Sequence, residues 1–151
     1  DNYWRMDTLQ GKVHDETAYM LEGVAGHAGL FSTAKDISHL IKTLLNNGQY
    51  KGKIIFDENT VEEWTTKQSN QSTRALGWDT KSENKSSAGH YFSLSSFGHT
   101  GFTGTSVWAD KKSGLFVILL TNRVFPTRAN RKIIQFRPII HDAIFNAVKI
   151  N

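Results

Sequence analysis

The sequence predicts an α+β fold, an antiparallel sheet flanked by helices, on three observations. Residues 98–120 read as a strand, a tight turn at Lys111-Lys112-Ser113-Gly114 and a second strand in the apolar run Leu115 to Leu120. Ahead of this hairpin, Ile37, Leu40, Ile41, Leu44 and Leu45 repeat at the spacing of one helical face. Behind it, Ile139, Ile140, Ala143, Ile144, Ala147 and Val148 do the same. Two strands joined by a short turn pair antiparallel, and a helix with one apolar stripe buries it against such a sheet.

Taken in order, residues 1–31 are irregular. The run Gly23-Val24-Ala25-Gly26-His27-Ala28-Gly29-Leu30-Phe31 suits a packed turn or a cleft wall, because its small residues permit close backbone approach. A helix is predicted over 33–47, with Thr33 and Asp36 as a capping box and Gly48 as the stop. A short basic turn, Lys51-Gly52-Lys53, then leads to a short strand at Ile54 to Phe56 and a weaker helix around Thr60 to Thr66. Arg74-Ala75-Leu76-Gly77-Trp78 reads as a strand, and the polar tract from Lys81 to Gly89 as a surface loop. After the hairpin comes a loop, Asn122 to Ala129 with Pro126, and then the terminal helix, whose first turn accommodates Pro138. No internal repeat or linker divides the chain, so residues 1–151 form one unit.

Composition sets outer limits. The chain has 151 residues, 38% apolar and 21% charged, which is globular in balance and long enough to bury a core. Its longest apolar run is far shorter than the roughly 20 residues of a spanning helix. The start, Asp1-Asn2-Tyr3-Trp4-Arg5, has no signal-peptide pattern, and an export signal would lie upstream. Lys and Arg number 18 against 14 Asp and Glu, yet they are scattered without aromatic interleaving, so nucleic acid is not an expected partner. With no Cys, thiolate catalysis, disulfides and Cys-ligated metal are excluded.

Within the hairpin, His99-Thr100-Gly101 stands where the first strand begins. This tripeptide resembles the third signature, K-T-G or H-T-G, of the serine β-lactamase and penicillin-binding-protein family, in its class C β-lactamase, DD-peptidase and esterase members. Gly26-His27-Ala28-Gly29-Leu30-Phe31-Ser32-Thr33-Ala34-Lys35-Asp36-Ile37 is similar to the family's small-residue turn and following helix. Leu119-Leu120-Thr121-Asn122-Arg123, then Pro126, resembles its last central strand and loop. The front segment, Tyr3-Trp4-Arg5 through Glu16, resembles a subgroup fused behind family 3 β-N-acetylglucosaminidases.

The resemblance implies the C-terminal half of a β-lactamase/transpeptidase-like fold and a serine hydrolase that works through an acyl-enzyme on an ester, a cell-wall peptide or a β-lactam. It assigns Gly101 to the wall along which substrate backbone lies, the Phe102 N–H to one oxyanion donor, Thr100 to a substrate carboxylate or polar group, and His99 to a polar or cationic wall in place of Lys. No cofactor and no metal are implied. The family's nucleophile helix and Tyr-x-Asn loop both precede the Gly26 region, and the 25 residues before it contain neither S-x-x-K nor Tyr-x-Asn. The chain is therefore expected to be a partial domain, inactive alone, with the missing N-terminal half as its first partner. An unpaired sheet edge could also pair two copies. A periplasmic, secreted or cell-envelope location follows from the resemblance only.

Several matches mislead. Ser32-Thr33-Ala34-Lys35 fits S-x-x-K by letter, but at roughly 100° per residue Lys35 falls away from the apolar face and is solvated. Ser82-Glu83-Asn84-Lys85 lies in the polar loop, and Lys112-Ser113-Gly114 in a turn. His14, Asp15, Glu16 and His27 lack the two-ligand helical spacing of a metal site. His27 lines the cleft or bonds to backbone; His39 and His141 sit at the borders of helix faces. Trp64, Trp78 and Trp108 read as core or sheet-face aromatics rather than a sugar platform. Two classes of function stay open: a serine hydrolase portion, and a non-catalytic module of the same fold that binds cell-wall fragments or a protein.

Overall fold

The computed structural model describes residues 3–149. Asp15 opens the first helix, α1 (Glu16–Met20), its Oδ1 accepting the Ala18 N–H at 2.8 Å. A carboxylate there satisfies one of the amide donors that a helix start leaves unpaired. The second helix, α2 (Ala34–Leu45), is the one predicted over 33–47. Thr33 caps it, accepting from Asp36 N at 3.1 Å and donating to Asp36 Oδ2 at 2.8 Å. Its stop begins one residue before Gly48: Asn47 takes the left-handed conformation, φ 50°, and the Gly48 N–H closes onto Thr43 O at 2.8 Å.

Strands β1 (Gln49–Tyr50) and β2 (Lys53–Ile54) form a small hairpin around Lys51-Gly52. The strand expected at Ile54 to Phe56 ends early because the Ile55 and Phe56 N–H groups both turn back to Gly48 O. Helix α3 (Glu58–Thr65) starts ahead of Thr60 because Asp57 caps it, accepting from the Asn59 and Thr60 amides. The strand expected at Arg74 to Trp78 is a bend. Gly77 adopts φ 76°, and Ala75 N–H donates to Trp78 O at 3.0 Å. Arg74 keeps an isolated bridge to Asp79, where the two-residue β3 (Asp79–Thr80) begins.

A larger correction concerns Gly98 to Asp110, read from sequence as one strand with H-T-G at its start. It is two strands, β4 (Ser96–Thr100) and β5 (Ser106–Asp110), so His99 and Thr100 close the first and Gly101 opens the turn between them. Gly101 N–H donates to Thr105 O at 2.8 Å, and Gly104, at φ 117°, lies where a Cβ would press on Thr121 Oγ1. Strand β6 (Phe116–Leu119) follows through the predicted turn. There the buried Asp110 accepts from Lys112 N at 3.0 Å and from the Ser113 hydroxyl at 2.8 Å. The sheet is antiparallel throughout in the order β3-β4-β5-β6, which leaves β6 at an edge.

Each face of this sheet carries its own cluster. Phe97 and Ala109 pack against Ile41 and Leu44 of α2 and Val61 of α3. Trp108 and Val117 pack with Ala88, Phe92 and Phe145, the last on the final helix, α4 (Lys132–Lys149). Gly98 pairs with Trp108 in register, and a Cβ at Gly98 would collide with the indole, so the glycine leaves room for the buried ring. Trp78, edge-on to Phe97 at 5.3 Å, also meets the expectation, whereas Trp64 is 38% exposed beside Phe56.

Helix α4 departs from the sequence pattern. It starts at Lys132, ahead of Pro138, and its apolar stripe is not its buried one. Ile139 is 64% exposed and Val148 55%, while Ile133, Arg137, His141 and Phe145, four apart, are buried. The reason is that this face meets backbone carbonyls. Arg137 Nη2 donates to Gly101 O at 2.9 Å and to Thr105 O at 2.8 Å, and His141 Nδ1 donates to Ser87 O at 2.7 Å. His141, expected at a helix border, is fully enclosed, and burial pushes its pKa down. The polar loop before it is not all surface either, because Ala88 is buried at its end. Among the described residues no helix is long and apolar enough to cross a membrane.

Candidate active site

The β4–β5 turn and the small-residue run after Glu22 face one another across a cavity of about 680 Å³. Its walls include all five residues singled out in the sequence: His27, His99, Thr100, Gly101 and Phe102. Residues 75 positions apart in sequence, such as His27 and Phe102, are brought together because β4 delivers the tripeptide to a cavity whose other lining includes residues 12–16 and 27–31.

His99 is exposed and held from two sides. Its Nδ1 lies 3.0 Å from Thr100 O and its Nε2 3.0 Å from Arg74 Nη1. A carbonyl accepts and a guanidinium donates, so the partners assign the neutral tautomer with the proton on Nδ1. The permanent cation that His in place of Lys removes from the tripeptide is present nearby, on Arg74. Gly101 has a reason beyond an open wall: a Cβ there would collide with Thr105 Oγ1.

Phe102 is 57% exposed. Its ring lies against His14, centroids 5.7 Å apart, and under the Arg123 guanidinium at 4.3 Å. Its carbonyl accepts from Arg123 Nε at 2.7 Å, while its N–H donates to no group among the described residues. The Thr100 hydroxyl likewise has no bonded partner among them.

On the opposite wall, His27 Nε2 bonds Asp15 Oδ1 at 2.9 Å. Thus His27 lines the cavity, and its partner is a carboxylate rather than the backbone. The Ala18 N–H and then His27 hold the Asp15 pKa below the usual carboxylate range. Glu16 pairs with Arg128 at 2.7 Å, and that bond lowers its pKa. Burial, and then the Arg128 charge, lower the His14 pKa. Sequence reading missed Arg74, Arg128 and Arg137, since nothing in an isolated arginine's neighbours signals which carbonyl or ring it reaches. Among the described residues no group of three His, Asp or Glu could hold a metal ion. Ser32 and Lys35 are both exposed at the start of α2, and Ser82 donates to Asn84 O within its loop.

The model of the Beta-lactamase family matches residues 1–137. This chain belongs to the β-lactamase family. Among curated relatives, an "N-acetylmuramyl-L-alanine amidase" of Bacillus subtilis (strain 168) is 43% identical over 123 residues, which is 79% of this chain and 28% of that protein. A "Putative D-alanyl-D-alanine carboxypeptidase" of Salmonella agona (strain SL483) is 39% identical over 132 residues, 85% of this chain and 31% of that protein. A solved β-lactamase from Mycobacterium bovis shares the fold, with a TM-score of 0.62 and 24% identity, over 80% of this chain and 46% of that one. The α+β arrangement predicted from the sequence is thus that of a β-lactamase fold, and the chain spans less than a third of the length of these curated relatives.

Proposed function

We propose that this chain is the C-terminal portion of a cell-wall-directed serine hydrolase domain, and that it supplies the H-T-G wall and one oxyanion donor to an acyl-enzyme reaction. The observation that carries this reading is the single cavity that gathers His27, His99, Thr100, Gly101 and Phe102. In the acylation step a serine hydroxyl gives its proton to a base and adds to the substrate carbonyl, whose oxygen takes up negative charge; collapse of that intermediate breaks the bond to the leaving group, which departs with a proton. The unbonded Phe102 N–H is suited to receive that charge. Gly101 gives the acyl chain room beside β4, and Thr100 offers its free hydroxyl to a polar group of the substrate. His99 and Arg74 together present a polar, cationic wall, which favours a substrate that carries a carboxylate.

Among the described residues no serine lines this cavity, which supports a nucleophile supplied from outside them. The names of the two relatives support cell-wall peptide over a simple ester or a β-lactam as the substrate class. The edge at β6 is where the rest of the domain, or a second copy, would add a strand.

Intact-mass measurement after treatment with a fluorophosphonate probe tests this reading. Labelling of the full-length gene product, and none of this chain, is expected. Labelling of neither would replace it with the binding-module reading, and labelling of this chain would place the nucleophile within it.

A further inference from the structure

We infer that Arg137 of α4 is a positioning residue that aims the Phe102 N–H into the cavity by holding the carbonyl on the other side of the same peptide bond. This rests on the function proposed above. The Gly101–Phe102 peptide is trans, so its C=O and N–H point in opposite directions from one rigid plane. Arg137 Nη2 grips Gly101 O at 2.9 Å and Thr105 O at 2.8 Å.

Two spaces flank the turn. One, of about 380 Å³, is lined by Ile133, Ile134 and Arg137 of α4 with Arg123 and Arg131. The other is the cavity of His27 and His99, to which α4 contributes no residue. Gly101 and Phe102 border both. With the carbonyl committed to the α4 side, the N–H is turned toward the cavity. Arg123 Nε fixes the next carbonyl, Phe102 O, at 2.7 Å, so both peptide planes around the donor are pinned.

The character of Arg137 supports the same conclusion. It is 6% exposed, and no carboxylate among the described residues lies within ion-pair distance of it. A buried cation without a counter-charge costs stability, and an apolar side chain would fill this position more cheaply. What the cation adds is a charge-assisted bond to the turn. Such a bond fixes the peptide plane and polarises it, strengthening the N–H as a donor.

Two measurements test this. In the full-length gene product, Arg137→Met is expected to lower kcat on p-nitrophenyl acetate by about 100-fold, the usual effect of losing one preorganised oxyanion donor, with KM changed less than about threefold. Arg137→Lys, which retains a charged donor, should recover part of that loss. In this chain, Arg137→Met should shift and broaden the Phe102 amide in ¹H–¹⁵N spectra while those of Ile144 and Phe145 stay in place. An unchanged Phe102 amide, or equal losses in the Met and Lys variants, overturns the inference. A wild-type protein without turnover or labelling overturns the proposed function instead, and the Phe102 amide then still decides what Arg137 positions.

Discussion

Arg74 Nη1 lies 3.0 Å from His99 Nε2, across 25 residues of sequence and through a bend rather than a strand. The bond orients the imidazole and sets a permanent charge beside it. In the full-length gene product, Arg74→Ala should raise KM about tenfold for a peptide ending in a free carboxylate, the worth of one charge-assisted hydrogen bond. KM for a neutral ester should stay within about twofold. Equal changes on both substrates would remove carboxylate recognition from Arg74.

The burial of His141 predicts the sign of a pH dependence of stability. Burial lowers its pKa, so the unfolded chain takes up the proton first. Stability is then full above the ordinary histidine value of about 6.5 and falls as pH drops through the folded value, by at most about 1.4 kcal/mol per pH unit for one proton. Urea unfolding between pH 7.5 and 5.5 should show that slope. His141→Asn, which can still donate toward Ser87 O, should flatten it, and a slope unchanged in the variant would assign the dependence to another group.

On the acid side, Glu16 acts with Arg128. The bond lowers the Glu16 pKa, so its stabilisation is present above the ordinary glutamate range and is lost as pH falls through the lowered value. The two side chains are 32% and 26% exposed, which keeps the contribution near or below about 1 kcal/mol. Glu16→Gln should therefore cost little at pH 7 and reduce the acid-side slope below about pH 4. A loss well above about 1 kcal/mol at neutral pH would mean that the pair does more than close α1 onto the loop ahead of α4.

Thr33→Ala removes both the oxygen that receives the Asp36 amide and the donor to its carboxylate. The expected loss is about 1 kcal/mol, measured by denaturant unfolding, with the core of α2 unchanged. Thr33→Ser should restore most of it.

How much of this was legible follows from where the information sits. Helix α2 was, because Ile41 and Leu44 bury against Phe97 and the repeat of apolar residues records that burial. The meander was half legible: the Lys111 to Gly114 turn was found, but the turn at Gly101 to Thr105 was hidden inside a run that resembles a strand. Gly104 was its one local signal. The buried face of α4 was not legible, since Arg137 and His141 are polar and their carbonyl partners lie tens of residues away. The five proposed site residues share one cavity, yet the arginines around them could be found only in three dimensions.

The bonds from Arg137 to Gly101 O and Thr105 O tie the last helix to a turn whose bonded residues lie 36 and 32 positions before that arginine. The Gly101 N–H donates to Thr105 O, the same carbonyl that the guanidinium holds, so release of Arg137 loosens the acceptor that protects this amide. Native-state hydrogen exchange should accordingly find the Gly101 amide opening together with those of α4 as one cooperative unit, while the β1–β2 hairpin opens on its own.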